Sequence, residues 1–507
     1  MLPWSFLIFT LLWQAARLWL RPRRLERALR AQGLPGRPYR PFTSDAPVKN
    51  QQSPMPLGCH DIVPYVVPLL HGAVQEHGRT SVSWNGPVPT VTIVDARLTR
   101  EVMFGKSGHF EKFPRTRVLS RLLTNGLPRH EGEKWVKHRK ILGRAFHLEK
   151  LKVYRFFHEF ALLHSFCYGW CEVDVCPEFL ILAADTISRI AFGSSYLEGR
   201  RILALQSEQV DRIKASGKMI SIPGYMSLPT KNNRRMREIN NEIESVLEGI
   251  IAKKMQAMQE GESTKCDLLS LMLEPNMGKT DGNGRPAAGM TIEDVMEECK
   301  MCYLASTETP PTLLAWTMIL LSMHPEWQDR AREEVLGLLR LHVFFMQPQV
   351  LILYQSMMQV TMILYEVLRL YPPAIAFHRK TYKETKLGGI TYPAGVVIEM
   401  PLLLIHHDPN IWGADVHEFR PDRFAEGISK ASNDPSAFLP FGWGPRICIG
   451  QNFVLFEAKM VVCMILQHFE FELAPTEMEL VNVLLFIACS HLSLVGINNN
   501  RVQKHRA

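Results

Sequence analysis

Ten consecutive residues, Phe441-Gly442-Trp443-Gly444-Pro445-Arg446-Ile447-Cys448-Ile449-Gly450, constrain this 507-residue chain more than any other stretch. They follow the polar segment 429–437 and open the largely apolar run 451–469. Glycines at 442, 444 and 450 let the backbone turn tightly and approach a flat ligand with no Cβ in the way. Downstream, Phe453, Phe456, Met460, Val461, Met464 and Phe469 recur at helical spacing, so Cys448 stands between a loop and a helix. The positive end of a helix favours a thiolate over a thiol. Arg446 adds a rigid fork of donors suited to a carboxylate. A bare cysteine before a helix is more often a buried structural thiol. A thiolate, a carboxylate clamp and a glycine-permitted close approach are, together, what holding a haem by its iron requires.

Phe441, Gly444, Arg446, Cys448 and Gly450 spell F-x-x-G-x-R-x-C-x-G. With these residues the stretch resembles the haem-binding loop of the cytochrome P-450 family, the haem-thiolate monooxygenases. The resemblance implies a mainly α fold with a small β portion. It also implies haem b (iron protoporphyrin IX) as cofactor, with Cys448 as the axial iron ligand and Phe441, Arg446 and Gly450 beside it.

The composition, 46% hydrophobic and 21% charged, is that of a folded globule with a core. A net charge of +8 suits an acidic protein partner or a membrane surface, and no basic stretch interleaved with aromatics points to nucleic acid. The ten cysteines have no regular framework, which indicates a reducing compartment. Cys299 and Cys302 form a C-x-x-C inside an expected helix, without a second pair at zinc-site spacing, so zinc is not expected there.

Residues 2–16 are apolar except for Ser5, Thr10 and Gln14, and the basic run Arg17, Arg21, Arg23, Arg24, Arg27, Arg30 follows. A short apolar segment with basic residues after it is expected to be a retained signal anchor over 1–20 rather than a cleaved signal peptide. Pro35-Gly36-Arg37-Pro38 with Pro41 makes 21–45 a basic, proline-rich hinge. Residues 46–507 form the catalytic domain, with an atypical tail at 476–507. These features place the protein at the endoplasmic reticulum membrane, single-pass, with its catalytic domain facing the cytosol.

The alternation over 90–94 predicts a strand. Residues 131–152 read as a helix with Trp135 and Arg139 at i and i+4 on one face. The family's W-x-x-x-R makes both partners of a haem propionate. Lys134, Lys137, Lys140 and Arg144 on the same helix form a basic face suited to an acidic reductase. Gly278-Lys279-Thr280 and Asp281-Gly282-Asn283-Gly284 echo phosphate and calcium loops but lack required residues, so 277–289 reads as one exposed loop.

Thr291 with Asp294 is expected to cap a helix running to about Met323. Within it, Ala305-Ser306-Thr307-Glu308-Thr309 resembles the family's oxygen-activating groove, A-G-x-[DE]-T. Thr309 beside Glu308 is suited to relaying protons through water. Ser306 replaces the family's glycine, and Pro310 with Pro311 would each cost about 3 kcal/mol in a helix interior. Glu366 and Arg369, at i,i+3, resemble the family's E-x-x-R, and Arg423 in Phe419–Phe424 would join them in a structural network. Arg379 stands where the family has a further propionate partner, while His378 reads as a pocket or surface residue.

Stretches such as HEGEKWVKHRKIL, EWQDRAREEVL and FLPFGWGPRICIGQNF look like a plant clan that includes secologanin synthase and terpenoid- and gibberellin-modifying oxidases. The implied activity is insertion of one oxygen atom of O2 into a C–H bond of an apolar small molecule, terpenoid or hormone-like. NADPH-cytochrome P-450 reductase would supply the electrons. Residues 341–359, 153–171 and those beyond 475 do not match the clan, and 480–497, free of Asp, Glu, Lys and Arg, reads as a buried strand pair, with a second membrane segment as the alternative. Two alternatives stay open: a non-catalytic or degenerate haem-binding relative, and a member that isomerises or dehydrates without O2.

Overall fold

Buried Val82, Trp84, Val91, Ile93, Ile398 and Met400 give one sheet an apolar face. The computed structural model describes residues 16–40, 58–105, 109–112, 117–146, 172–193, 196–216, 225–261, 267–274, 289–342, 356–474 and 493–495. The described residues are mostly helical with a small β portion. The chain divides into two compact units. One holds Met1–Phe113, Tyr365–Cys448 and Glu479–Phe486; the other holds Pro114–Leu364, Ile449–Met478 and Ile487–Ala507.

In the first unit five strands run in the order Thr80–Asn85, Val88–Ile93, Val397–Met400, Phe377–Thr381, Phe110–Lys112. All pairings are antiparallel except Val88–Ile93 with Val397–Met400, where Val91 lies opposite Ile398. The expected strand at 90–94 is therefore the second of this sheet. The proline-rich stretch expected as a hinge is seated on the sheet. Val82 N–H donates to Pro35 O and Arg37 N–H to Val82 O, each at 2.9 Å. A Cβ at Gly36 would meet the Val82 carbonyl, so only glycine allows this contact. Leu25, Leu29, Leu34 and Tyr39 are buried in the same core, with the Tyr39 and Trp84 rings 4.8 Å apart.

Glu366 and Arg369, in the last turns of the helix Met358–Leu370, are both fully buried. An exposed i,i+3 pair contributes only tenths of a kcal/mol; this pair is of another kind. Glu366 accepts from Nε and Nη2 of Arg369 at 2.7 Å each and from the Arg420 backbone N–H at 3.1 Å. Arg369 Nη1 donates to His406 O and Val416 O, and Arg423 Nε lies 3.6 Å from Glu366 Oε1.

In the second unit Leu127, Leu142, Phe192, Ile239, Leu247, Leu269, Met272 and Tyr303 share one core between helices. The helix expected over 131–152 is seen as Gly132–Gly143; residues 147–150 and 151–171 lie outside the described ones. It stops at a glycine, the poorest helix former after proline. The single helix expected from Ile292 to Met323 is two, Ile292–Glu308 and Pro310–Met323. Thr291 caps the first as expected, its hydroxyl accepting Asp294 N–H at 3.0 Å. The helix Gln451–His468 matches the apolar run after the glycine loop. Ser493–Val495 pairs with Glu172–Asp174 and Glu472–Leu473; the rest of 480–497, most of the 277–289 loop and residues 343–355 lie outside the described residues. So do residues 1–15 of the expected anchor. Among the described residues no helix is long and apolar enough to cross a membrane.

Two predictions follow from these buried charges. Removing one partner of a buried pair strands the other, so Glu366→Ala lowers stability by about 3–5 kcal/mol in chemical unfolding; an unchanged midpoint would contradict the network. Glu457, on Gln451–His468, is 1% exposed, neither of its carboxyl oxygens has a hydrogen-bond partner, and burial pushes its carboxyl up to about 8. The folded chain then keeps a proton that the unfolded chain releases near the ordinary carboxylate value of 4.5, so stability declines as pH rises from there to about 8. Glu457→Gln removes that decline, and its melting temperature exceeds the parent's by a margin that widens between those pH values. Parallel pH profiles would show that Glu457 is ionised in the fold.

Candidate active site

The loop Phe441–Cys448 is shaped by two glycines in the left-handed region, Gly442 at φ +76° and Gly444 at +72°. A Cβ at Gly444 would lie 3.0 Å from Phe104 Cα and 3.2 Å from Met103 O, so this glycine lets the loop sit against the end of the helix Ala96–Phe104. Gly450 differs. It is the N-cap of Gln451–His468 at φ −90°, which any residue adopts. The loop is closed by Cys448 N–H donating to Phe441 O at 2.9 Å and Ile447 N–H donating to Gly444 O at 3.1 Å. The Arg100 guanidinium stacks 3.3 Å from the Trp443 ring centroid and holds the loop's outer side.

Burial separates Cys448 from the other described cysteines. Cys176, Cys299, Cys302 and Cys463 are buried, Cys59 is half-buried, and Cys448 alone among them is exposed. Burial pushes the Cys299 and Cys302 thiols well up, so the C-x-x-C pair stays protonated inside its helix. No residue from Phe441 to Gly450 is buried, although Ala437–Leu439 before it and Phe453 after it are. The strand Phe377–Thr381 flanks the loop, with the Phe377 ring 3.6 Å from where a Gly442 Cβ would stand. It carries Arg379, which is buried and donates to His378 O. His378 is exposed and pairs with Glu399 at 3.1 Å. The first unit thus carries Phe441, Arg446 and Cys448 in the loop and Arg379 two residues along the strand from Phe377. This donor set fits a haem: an accessible sulfur for iron and arginines for the propionates.

One residue that anchors this loop carries no sequence signal. His406 Nε2 accepts the Leu439 N–H at 3.2 Å, just ahead of Phe441. Burial and then the Arg369 charge push its imidazole down to about 3, so the ring stays neutral and able to accept. Arg369 in turn donates to the His406 carbonyl. The Glu366–Arg369–Arg423 network is thereby tied to the loop root.

The second unit carries Trp135, Arg139, Glu308 and Thr309. Trp135 and Arg139 face one side of Gly132–Gly143, and Trp135 packs on the unit's core. Between them in the chain, His138 donates from Nδ1 to Glu298 Oε1 at 2.6 Å, and Leu127 N–H donates to Glu298 Oε2 at 2.9 Å. Glu298 is fully buried on Ile292–Glu308, so this bond fixes the Trp135–Arg139 helix on the helix of Glu308. Two lysines of the expected basic face are engaged internally: Lys134 pairs with Asp294 at 2.6 Å, and Lys137 donates to Gly289 O. Lys140 and Arg144 remain exposed.

At the end of Ile292–Glu308 the prolines are not interior. Pro310 and Pro311 open the helix Pro310–Met323, where a missing N–H costs little. Thr309 is the junction. Ser306 Oγ donates to Cys302 O at 2.8 Å, Thr309 Oγ1 to Ala305 O at 3.0 Å and Thr312 Oγ1 to Glu308 O at 2.9 Å. Ala305 and Thr309 are exposed and Glu308 is half-buried, while Ser306, Thr307 and Pro310 are buried. One open stripe therefore runs along an otherwise buried helix pair. Burial raises the Glu308 carboxyl, with Lys214 opposing and Asp211 adding.

A family model described as Cytochrome P450 matches residues 69–486. Cytochrome P450 CYP72A616 of Paris polyphylla is 49% identical over 474 residues, 90% of each chain. Cytochrome P450 72A13 of Arabidopsis thaliana is 46% identical over 475 residues, 91% of this chain and 90% of its own. The 11-oxo-beta-amyrin 30-oxidase of Glycyrrhiza uralensis is 45% identical over 495 residues, 94% of this chain and 92% of its own. Matches of this extent, on a chain whose exposed cysteine sits in a glycine-shaped F-x-x-G-x-R-x-C-x-G loop, mean that it belongs to the cytochrome P450 family of haem-dependent monooxygenases.

Proposed function

We propose that this chain hydroxylates an apolar, terpenoid-like small molecule, inserting one atom of O2 into a C–H bond while the other leaves as water. Two electrons from NADPH, delivered by NADPH-cytochrome P-450 reductase, and two protons balance the reaction. The observation that carries this reading is the exposed Cys448 in its rigid loop. The triterpenoid-oxidase name of one relative supports the substrate class. Haem, when bound, supplies the oxidising chemistry, and the protein supplies position and electrostatics.

In this reading the Cys448 thiolate would ligate iron, and Trp135, Arg139, Arg379 and Arg446 would hold the propionates. Thr309 holds a proton at Oγ1, which can leave Ala305 O for an incoming acceptor, and Glu308 resupplies it through water. The raised Glu308 carboxyl holds its proton more firmly than an ordinary carboxylate, which suits a group that passes protons on. Glu366, Arg369 and Arg423 act as positioning residues behind the loop. Residues 1–20 anchor the protein in the endoplasmic reticulum membrane, 21–45 follow as a basic, proline-rich connection, and the catalytic domain of 46–507 faces the cytosol.

The test is the carbon monoxide difference spectrum of the reduced, membrane-bound protein. A Soret band at the thiolate-ligated position is expected, and Cys448→Ala abolishes it. A band at the inactive position in the parent would reduce the chain to a non-catalytic relative. Thr309→Ala, with that band intact, is expected to lower product formed per NADPH by about 10²-fold while NADPH oxidation continues. Unchanged coupling would remove Thr309 from the proton path.

A further inference from the structure

Away from the loop, three chemistry-bearing side chains of the first unit converge. Asp61, just ahead of the helix Val63–Val66, meets His407, at the end of Leu402–His406, and His417, in the turn after Gly413. Their ligand atoms all lie within 4.8 Å of one another, and His417 Nδ1 is 3.9 Å from Asp61 Oδ1. That separation is too long for a hydrogen bond.

The tautomer of His407 is settled by its other nitrogen. Nε2 lies 2.9 Å from Leu370 O. A carbonyl only accepts, so Nε2 carries the proton and Nδ1 presents a lone pair. His407 is 5% exposed, and its Nδ1 has no hydrogen-bond partner. A buried acceptor left without a donor is costly. His417 Nδ1 is likewise buried without a partner, although its side chain as a whole is 40% exposed and that of Asp61 43%. The cluster therefore has one rigid, pre-oriented nitrogen at its base and two adjustable ligands at its mouth. An Nε2–H bonded to a backbone carbonyl is the arrangement that orients a histidine for a metal.

We propose that Asp61, His407 and His417 form a binding site for a divalent d-block cation of the zinc type, with solvent in the fourth position. Two imidazoles and one carboxylate suit a borderline cation rather than calcium or magnesium, which take oxygen ligands. Ligands on one zinc at about 2.0–2.1 Å stand about 3.3 Å apart. Modest rotation of the two exposed side chains closes the present spacing. The other such cluster among the described residues, His130, His138 and Asp294, is already committed: Glu298 holds His138, and Lys134 occupies Asp294. The proposed ion clasps the 59–61 segment and the 413–417 turn to the end of the helix whose His406 holds the root of the cysteine loop. Its role is structural.

The test uses the full-length holoprotein, stripped with a chelator and titrated with zinc chloride, with bound metal read by elemental analysis. About one zinc per chain is expected, with an X-ray absorption edge showing only nitrogen and oxygen neighbours near 2.0 Å. His417→Ala and Asp61→Ala each lose that equivalent while haem content stays at the parent's level. The proposal is overturned if the parent binds no zinc, if both variants keep it, or if sulfur appears in the coordination shell.

Discussion

The buried ion pair of Glu366 and Arg369 is the constraint on which the first unit depends. A guanidinium with no exposure is tolerable only when its donors are all occupied. Arg369 meets that demand by gathering distant pieces of chain: Glu366 in its own helix, then the carbonyls of His406, Val416 and Glu418. Arg423 and the Arg420 backbone complete the carboxylate's shell. The segment 406–423 has little regular structure, and these bonds hold its path. Because the His406 ring also accepts the Leu439 N–H, order reaches the start of the cysteine loop. The network thus reaches the root of the cysteine loop through His406.

A second constraint acts in the other unit, where a helix must end and another begin within one residue. Prolines at 310 and 311 remove N–H groups that would have bonded Ser306 and Thr307. The hydroxyls of Ser306, Thr309 and Thr312 bond backward to carbonyls and steady the break. Serine in place of the family's usual glycine is accommodated by the same device, since its side chain folds onto the preceding turn. The break leaves Thr309 exposed beside half-buried Glu308, the pairing that proton transfer asks for.

Much of the chain's positive charge is spent inside. Lys300 is buried against Glu297 and Glu244, Lys254 against Asp267, and Lys134 and Lys137 are tied to the neighbouring segment. Each ion pair cancels one charge of either sign, so the net charge of +8 stands and only the placement of the uncompensated cations is affected. On the Gly132–Gly143 helix the basic face contracts to Lys140 and Arg144.

The sequence by itself determined what local chemistry can express. A ten-residue glycine loop, an apolar 3.6-residue period after it, an N-cap at Thr291 and alternation near Val91 are short-range patterns, and each was legible; that Gly442 and Gly444 are left-handed while Gly450 is not was decided by the fold. The i,i+3 spacing of Glu366 and Arg369 was legible as a pair but not as a buried one, since burial depends on what the rest of the chain lays over them. The double proline could be counted but not priced, because its cost depends on whether the helix continues or restarts. His406, Glu298 with His138, Glu457 and the Asp61–His407–His417 cluster left no motif. Their partners lie tens to hundreds of residues away, and only tertiary packing decided which buried polar groups would meet, which would stay neutral and which would wait for a cation.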